Sequence, residues 1–144
     1  MKIAIASDHA GYRLKDELAE RLRAAGHDVT DLGGSADRSD YPTAGAAVGR
    51  TVASGHAERG VLVCGSGVGV SIAANKINGI RATVVAEPVS ARLCREHNDC
   101  NVIAIGERLV GPEMAWICVE TFLNTPAATE GRHAERVRQI SELE

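Results

Sequence analysis

The chain has 144 residues, 44% hydrophobic and 24% charged, with a formal net charge of -3, values typical of a soluble globular domain. Its longest apolar runs, at 61–64 and 102–105, fall far short of the ~20 residues of a membrane-spanning helix, and no basic stripe is present to neutralise a nucleic-acid backbone. Membrane and nucleic-acid partners are therefore excluded, and one domain over 1–144 is expected, in the cytoplasm, since the chain opens on a strand-like run with no secretory h-region.

Short β-branched runs alternate with longer helical patterns in a βαβα rhythm. Strands are predicted at 3–6, 29–32, 60–64, 82–86 and 101–105. Helices are predicted at 14–25, 43–54, 69–77 and 89–98. Two more close the chain, one at about 112–123 after Gly111-Pro112 and one at about 129–143 after the breaker Asn124-Thr125-Pro126. Five buried strands with crossover helices give an α/β fold, a doubly wound parallel sheet with helices on both faces. Ligands of such sheets bind beyond the carboxyl ends of the strands. The segments there are Ser7 to Gly11, Gly65 to Gly69, Glu87-Pro88 and Gly106 to Arg108.

The cysteines Cys64, Cys94, Cys100 and Cys118 form no CxxC pair, so reduced thiols are expected. The histidines show no zinc spacing, and neither a metal nor any other cofactor is expected. With only Tyr12, Tyr41, Trp116 and Phe122 as aromatics, the core must be aliphatic.

The strongest local signal is Val63-Cys64-Gly65-Ser66-Gly67-Val68-Gly69, a strand passing through three alternating glycines into a helix. Glycines let the backbone turn tightly and present N–H groups, and a helix N-terminus adds partial positive charge, so the loop can cradle a phosphate or a developing oxyanion. The plainer reading is a strand–helix turn with glycines for packing. Dinucleotide binding is disfavoured, because the glycines run GxGxG and follow the third strand. Cys64, at the mouth of this cradle, sits where a thiolate is favoured and could serve as base or nucleophile. Alone, it would read as a small buried hydrophobe.

Weaker signals lie elsewhere. Asp8-His9 follows the first strand as a proton-transfer or ligand-contact pair, with an N-cap as the plain alternative. His97-Asn98 ends the fourth helix, where a histidine also suits the helix dipole. Arg132 and Arg136 share one face of the last helix and could grip a phosphate, whereas Arg138 falls on another face; a solvated charged helix is the alternative.

The set SDHAG, SDYP, CGSGVGVSIAANK, REHNDCNV, GERLVG and EGRHAERV, in this order over nearly the whole chain, resembles the type B ribose-5-phosphate isomerases. That family also holds the galactose-6-phosphate isomerase subunits. The resemblance implies a Rossmann-like three-layer αβα fold and metal-free aldose–ketose isomerisation of a sugar phosphate. It also implies a homodimer or dimer of dimers with active sites at the subunit interface. By position it makes Cys64 the base that moves a proton between C2 and C1 through a cis-enediolate. Gly65, Ser66, Gly67, Val68 and Gly69 then stabilise the enediolate, and His97 assists ring opening. Asp8 contacts the sugar hydroxyls or ring oxygen, and His9, Arg132 and Arg136 hold the phosphate, joined by Arg108. Asn98 and Tyr41 line the sugar. His97 and Arg108 are implied to come from the partner subunit. A second branch of the family carries a glutamate base where this chain has Val70, so the resemblance is to the cysteine branch. The substrate implied first is ribose 5-phosphate. Four- or six-carbon aldose phosphates stand as alternatives, and so does a phosphosugar-binding module without catalysis.

Overall fold

A computed structural model describes residues 1–144. Strands β1 (Lys2–Ser7), β2 (Asp28–Asp31), β3 (Arg59–Cys64), β4 (Ala82–Val84) and β5 (Val102–Gly106) form one parallel sheet in the order β2-β1-β3-β5-β4. Helices α1 (Tyr12–Ala24), α2 (Tyr41–Ala53), α3 (Val68–Ala74), α4 (Pro88–Asn98), α5 (Pro112–Asn124) and α6 (Gly131–Ser141) follow in chain order.

Side chains alternate across each strand, so β1 sends Ile3 and Ile5 to one face and Ala4 and Ala6 to the other. The first face is covered by Leu14, Leu18 and Leu22 of α1 and by Val119 and Phe122 of α5. The second receives Val48 and Val52 of α2 and Val70 and Ala74 of α3, and Cys64 belongs to this layer. Small residues there let α2 and α3 lie close to the strands. No helix is long and apolar enough to cross a membrane.

The expectation of five buried strands holds only for the centre. In β1, β3 and β5 nearly every residue is buried. Edge strand β2 exposes Asp28, Thr30 and Asp31, and β4 is a half-buried triplet; a short or acidic edge discourages pairing with another chain. Helix α2 starts at Tyr41, two residues before the expected start, because Pro42 is suited to the first turn. Helix α3 stops at Ala74 rather than 77, where the Asn75 amide turns to β4: its Nδ2 donates to Ala82 O and its Oδ1 accepts from Ala82 N–H, at 2.8 and 2.7 Å.

Helix α6 buries none of its residues and packs beside α4, outside the three layers.

Candidate active site

Strand order reverses between β1 and β3, because β2 lies on one side of β1 and the rest of the sheet on the other. This is the crevice where open parallel sheets bind ligands. In-register pairing brings Ser7 level with Val63, and Cys64 level with Gly106, so the loops after β1, β3 and β5 meet. They enclose an open cleft of roughly 700 Å³ whose lining includes Asp8, His9, Tyr41, Cys64, Ser66 and Arg108.

The approach of β1 to β3 is set by Gly11. A Cβ there would lie 2.6 Å from the carbonyl carbon of Val63 and 2.7 Å from Cys64 N, so only glycine lets the start of α1 rest on the end of β3. Asp8, 6% exposed, is anchored from both sides. Its N–H donates to Val63 O at 3.3 Å, and its Oδ1 accepts the Ala10 N–H at 2.9 Å. His9 Nδ1 lies 3.0 Å from Ser39 O. The Ser39 N–H also lies against Nδ1, at 3.5 Å, so the Ser39 backbone engages this nitrogen and Nε2 is left for a ligand.

After β3 the backbone folds around sulfur. Gly67 adopts a left-handed conformation, φ 80°, and its N–H donates to Cys64 Sγ at 3.0 Å. Cys64 itself is 4% exposed at the cleft wall. A donated N–H stabilises negative charge on the sulfur. Ser66 Oγ accepts the Val68 N–H at 3.3 Å, and Arg108 N–H donates to Gly65 O at 3.2 Å. With only seven residues in α3, the cradle depends on these N–H groups more than on a helix dipole. Tyr41, at the start of α2, brings its ring against Gly69, where a Cβ would sit 2.7 Å away.

Asp8, His9, Tyr41, Cys64, Gly65, Ser66, Val68, Gly69 and Arg108 all line this one cleft, and Gly67 serves it through its bond to Cys64. Arg108, implied by resemblance to come from a partner, lies in this chain's own cleft. Its guanidinium covers Gly65, 3.4 Å from where a Cβ would sit. Ala10, Ile72 and Leu109 complete the lining. Sequence reasoning missed these, although Leu109 follows Arg108 in the same motif.

His97, Asn98, Arg132 and Arg136 do not join the cleft. Helix α4 descends from the carboxyl rim after β4 to the start of β5, about 16 Å at 1.5 Å per residue over its 11 residues. His97 therefore sits at the opposite end of the sheet from Cys64. There its ring stacks on His133 of α6, with centroids 4.1 Å apart. Arg132 and Arg136 flank His133 on α6, exposed and without ion pairs. Burial, followed by the positive neighbours His97, Arg132 and Arg136, lowers the His133 pKa below its ordinary value. Arg138, by contrast, is paired with Glu135 and Glu142. Asn98 faces another cavity beside β4. His133 was not singled out from the sequence, although its place between the two arginines was the available signal. No group of three or more His, Cys, Asp or Glu side chains is arranged to hold a metal ion.

A thiol among backbone donors at the switch point of a parallel sheet, with imidazole and guanidinium groups nearby, defines an α/β enzyme site for acid–base chemistry on an anionic substrate. Comparison with known proteins narrows the class. The family model described as Ribose/Galactose Isomerase matches residues 3–140, and the chain belongs to that family. It is 47% identical to ribose-5-phosphate isomerase B of Escherichia coli over 144 residues, covering 99% of this chain and 96% of that one. It is 39% identical to the galactose-6-phosphate isomerase subunit LacB of Clostridium acetobutylicum, covering 99% and 83%. Among solved structures, ribose-5-phosphate isomerase B of Clostridium thermocellum superposes with a TM-score of 0.97 at 48% identity, covering 99% and 97%.

Proposed function

We propose that the chain is an aldose–ketose isomerase that interconverts ribose 5-phosphate and ribulose 5-phosphate through a cis-enediolate, without a metal. The observation that carries this reading is the Cys64 thiol in the cleft wall, with the Gly67 N–H directed at its sulfur. Abstraction of a proton next to a carbonyl needs a base, donors for the enediolate oxygens and a hold on the remote phosphate.

In this reading Cys64 takes the C2 proton of the open-chain aldose and returns it to C1. Ser66 and the unengaged N–H groups of Gly65 and Gly69 receive the developing charge. Asp8, fixed by its turn, contacts the sugar hydroxyls, and Tyr41 lines the sugar. His9 meets the phosphate through Nε2, and Arg108 adds positive charge from the same wall.

We further propose a cytoplasmic homodimer, or dimer of dimers, in which the partner subunit's His97, Asn98, Arg132 and Arg136 complete each cleft. Two observations support it. These residues cannot reach Cys64 within one chain, and the cleft is rimmed by the exposed apolar side chains Val68, Ile72 and Leu109, a patch suited to cover by another copy.

The test is isomerisation of ribose 5-phosphate by purified protein with a chelator present, run beside four- and six-carbon aldose phosphates. Efficient turnover of the pentose phosphate is expected. Preference for a six-carbon phosphate, the reading favoured by the similarity to a galactose-6-phosphate isomerase subunit, would keep the mechanism and change the substrate. No turnover of any sugar would remove Cys64 from its role.

A further inference from the structure

Two thiols outside the cleft meet at the foot of α4. Cys94, in its last turns, and Cys100, just before β5, are 7% and 6% exposed, and both belong to one packed core cluster. The backbones are equally close, since Cys100 N–H donates to Cys94 O at 2.9 Å. Between them Asp99 takes a left-handed conformation, φ 45°, which folds the chain back at the helix end. Both residues line a cavity of roughly 560 Å³ bounded by Arg81, Asn98 and the end of α6, which gives a small solute a way toward them.

The two thiols differ. Cys94 Sγ donates its hydrogen to Ala91 O at 3.2 Å. Arg95 Nη1 donates to Cys100 O at 2.6 Å and to Asp99 Oδ1 at 2.6 Å, while Arg81 holds Asp99 from the other side. The guanidinium charges of Arg81 and Arg95 favour the charged form of the Cys100 thiol, against the opposing effects of burial and Asp99. Burial disfavours the charged form of Cys94. A cysteine flanked by guanidinium groups, with a second thiol on the same turn, is the arrangement of a redox-responsive pair.

We propose that Cys94 and Cys100 form an oxidisable dithiol, a modification site for peroxides whose disulfide staples the turn that carries His97. The Cys100 thiolate attacks a peroxide oxygen, the O–O bond breaks, and a sulfenic acid forms as the remaining oxygen leaves and is protonated to water. The Cys94 thiol then attacks the sulfenic sulfur, its proton departs with the hydroxyl group as a second water, and the S–S bond closes. One hydrogen peroxide is reduced to two waters as the two thiols become one disulfide. The ring encloses residues 95–99, including His97 and Asn98, and a cellular dithiol reopens it.

The experiment treats the purified protein with one equivalent of hydrogen peroxide, alkylates the remaining thiols and digests with trypsin. Cleavage after Arg95 separates the two cysteines, so two peptides joined by a dithiothreitol-sensitive bond identify the crosslink. The crosslink is expected in the wild type and in C64A, and in neither C94S nor C100S. Wild-type turnover is expected to fall several-fold on oxidation and to return on reduction, with C94S protected. Recovery of both cysteines alkylated while Cys64 is oxidised would overturn the site. Unchanged turnover by crosslinked protein, or equal loss in C94S, would overturn its control of catalysis. The link to turnover rests on the isomerase reading above, whereas the crosslink is detected without substrate, so the two can fail separately.

Discussion

The imidazole rings of His97 and His133 stack 4.1 Å apart and 5° from parallel, joining α4 to α6 through two titratable groups. Charging both rings is unfavourable, and the His133 pKa lies below the ordinary histidine value of 6.5. The unfolded chain therefore binds more protons than the folded one as the pH falls below that value, and the contact loses stability there. Above it the contribution is fully present. A proton NMR titration is expected to find His133 titrating below its counterpart in a model peptide, and H97A is expected to move it upward.

Cys64 is the only side chain in the cleft that combines nucleophilic sulfur with a donated backbone N–H. Replacement by alanine is expected to lower kcat by about 10²–10⁴-fold, the share of a positioned general base. Binding of the sugar phosphate, measured by calorimetry, should change little, since the proposed phosphate contacts lie elsewhere.

Separation of Cys64 from His97 makes subunit mixing informative. C64A and H97A are each expected to be nearly inactive as homodimers. After co-refolding, about a quarter of wild-type activity should return, because half of randomly paired dimers are mixed and each of those holds one intact site of two. Absence of recovery, with mixed dimers shown by native mass spectrometry, would argue for a site built within one chain.

Arg132 and Arg136 carry no ion pair, whereas Arg138 is held by two glutamates. Alanine at 132 or 136 is expected to lower kcat/KM roughly 10–100-fold, in line with loss of one charge-assisted hydrogen bond of about 1.5–3 kcal/mol. R138A should stay within about twofold, since exposed pairs contribute little. Steady-state kinetics on all three separates a phosphate grip from a generally charged helix.

Gly11 has no room for a side chain against the β3 backbone. G11A is expected to lower the denaturant midpoint, with a loss of about 1–3 kcal/mol typical of overpacking. Because Asp8 hangs on the same turn, the folded fraction should also lose turnover.

Much of this was readable in the residues. Buried strands such as Ile3 to Ala6 and Val102 to Ile105 are continuous apolar runs because helices cover both faces, and the loops after them hold the cleft. The direction of α4 was also implicit: a helix ending at Asn98, just before a strand begins, must end at the foot of the sheet, so His97 could not have joined Cys64. Strand order was not readable, because a right-handed crossover does not fix how many positions it passes. The place of Arg108 was hidden too, since it depends on how the turn after β5 folds back onto Gly65.

The order β3-β5-β4 has a consequence for synthesis. Strand β5, the last made, is an interior one, and the open edge of β3 with its apolar Val61, Leu62 and Val63 has no neighbour until residues 102–106 emerge. A nascent chain stalled before that point displays an unpaired, sticky strand edge of the kind that invites aggregation. Insertion of β5 then completes the sheet and supplies Gly106, which pairs with Cys64, so the rim of the cleft and the centre of the sheet mature in the same step.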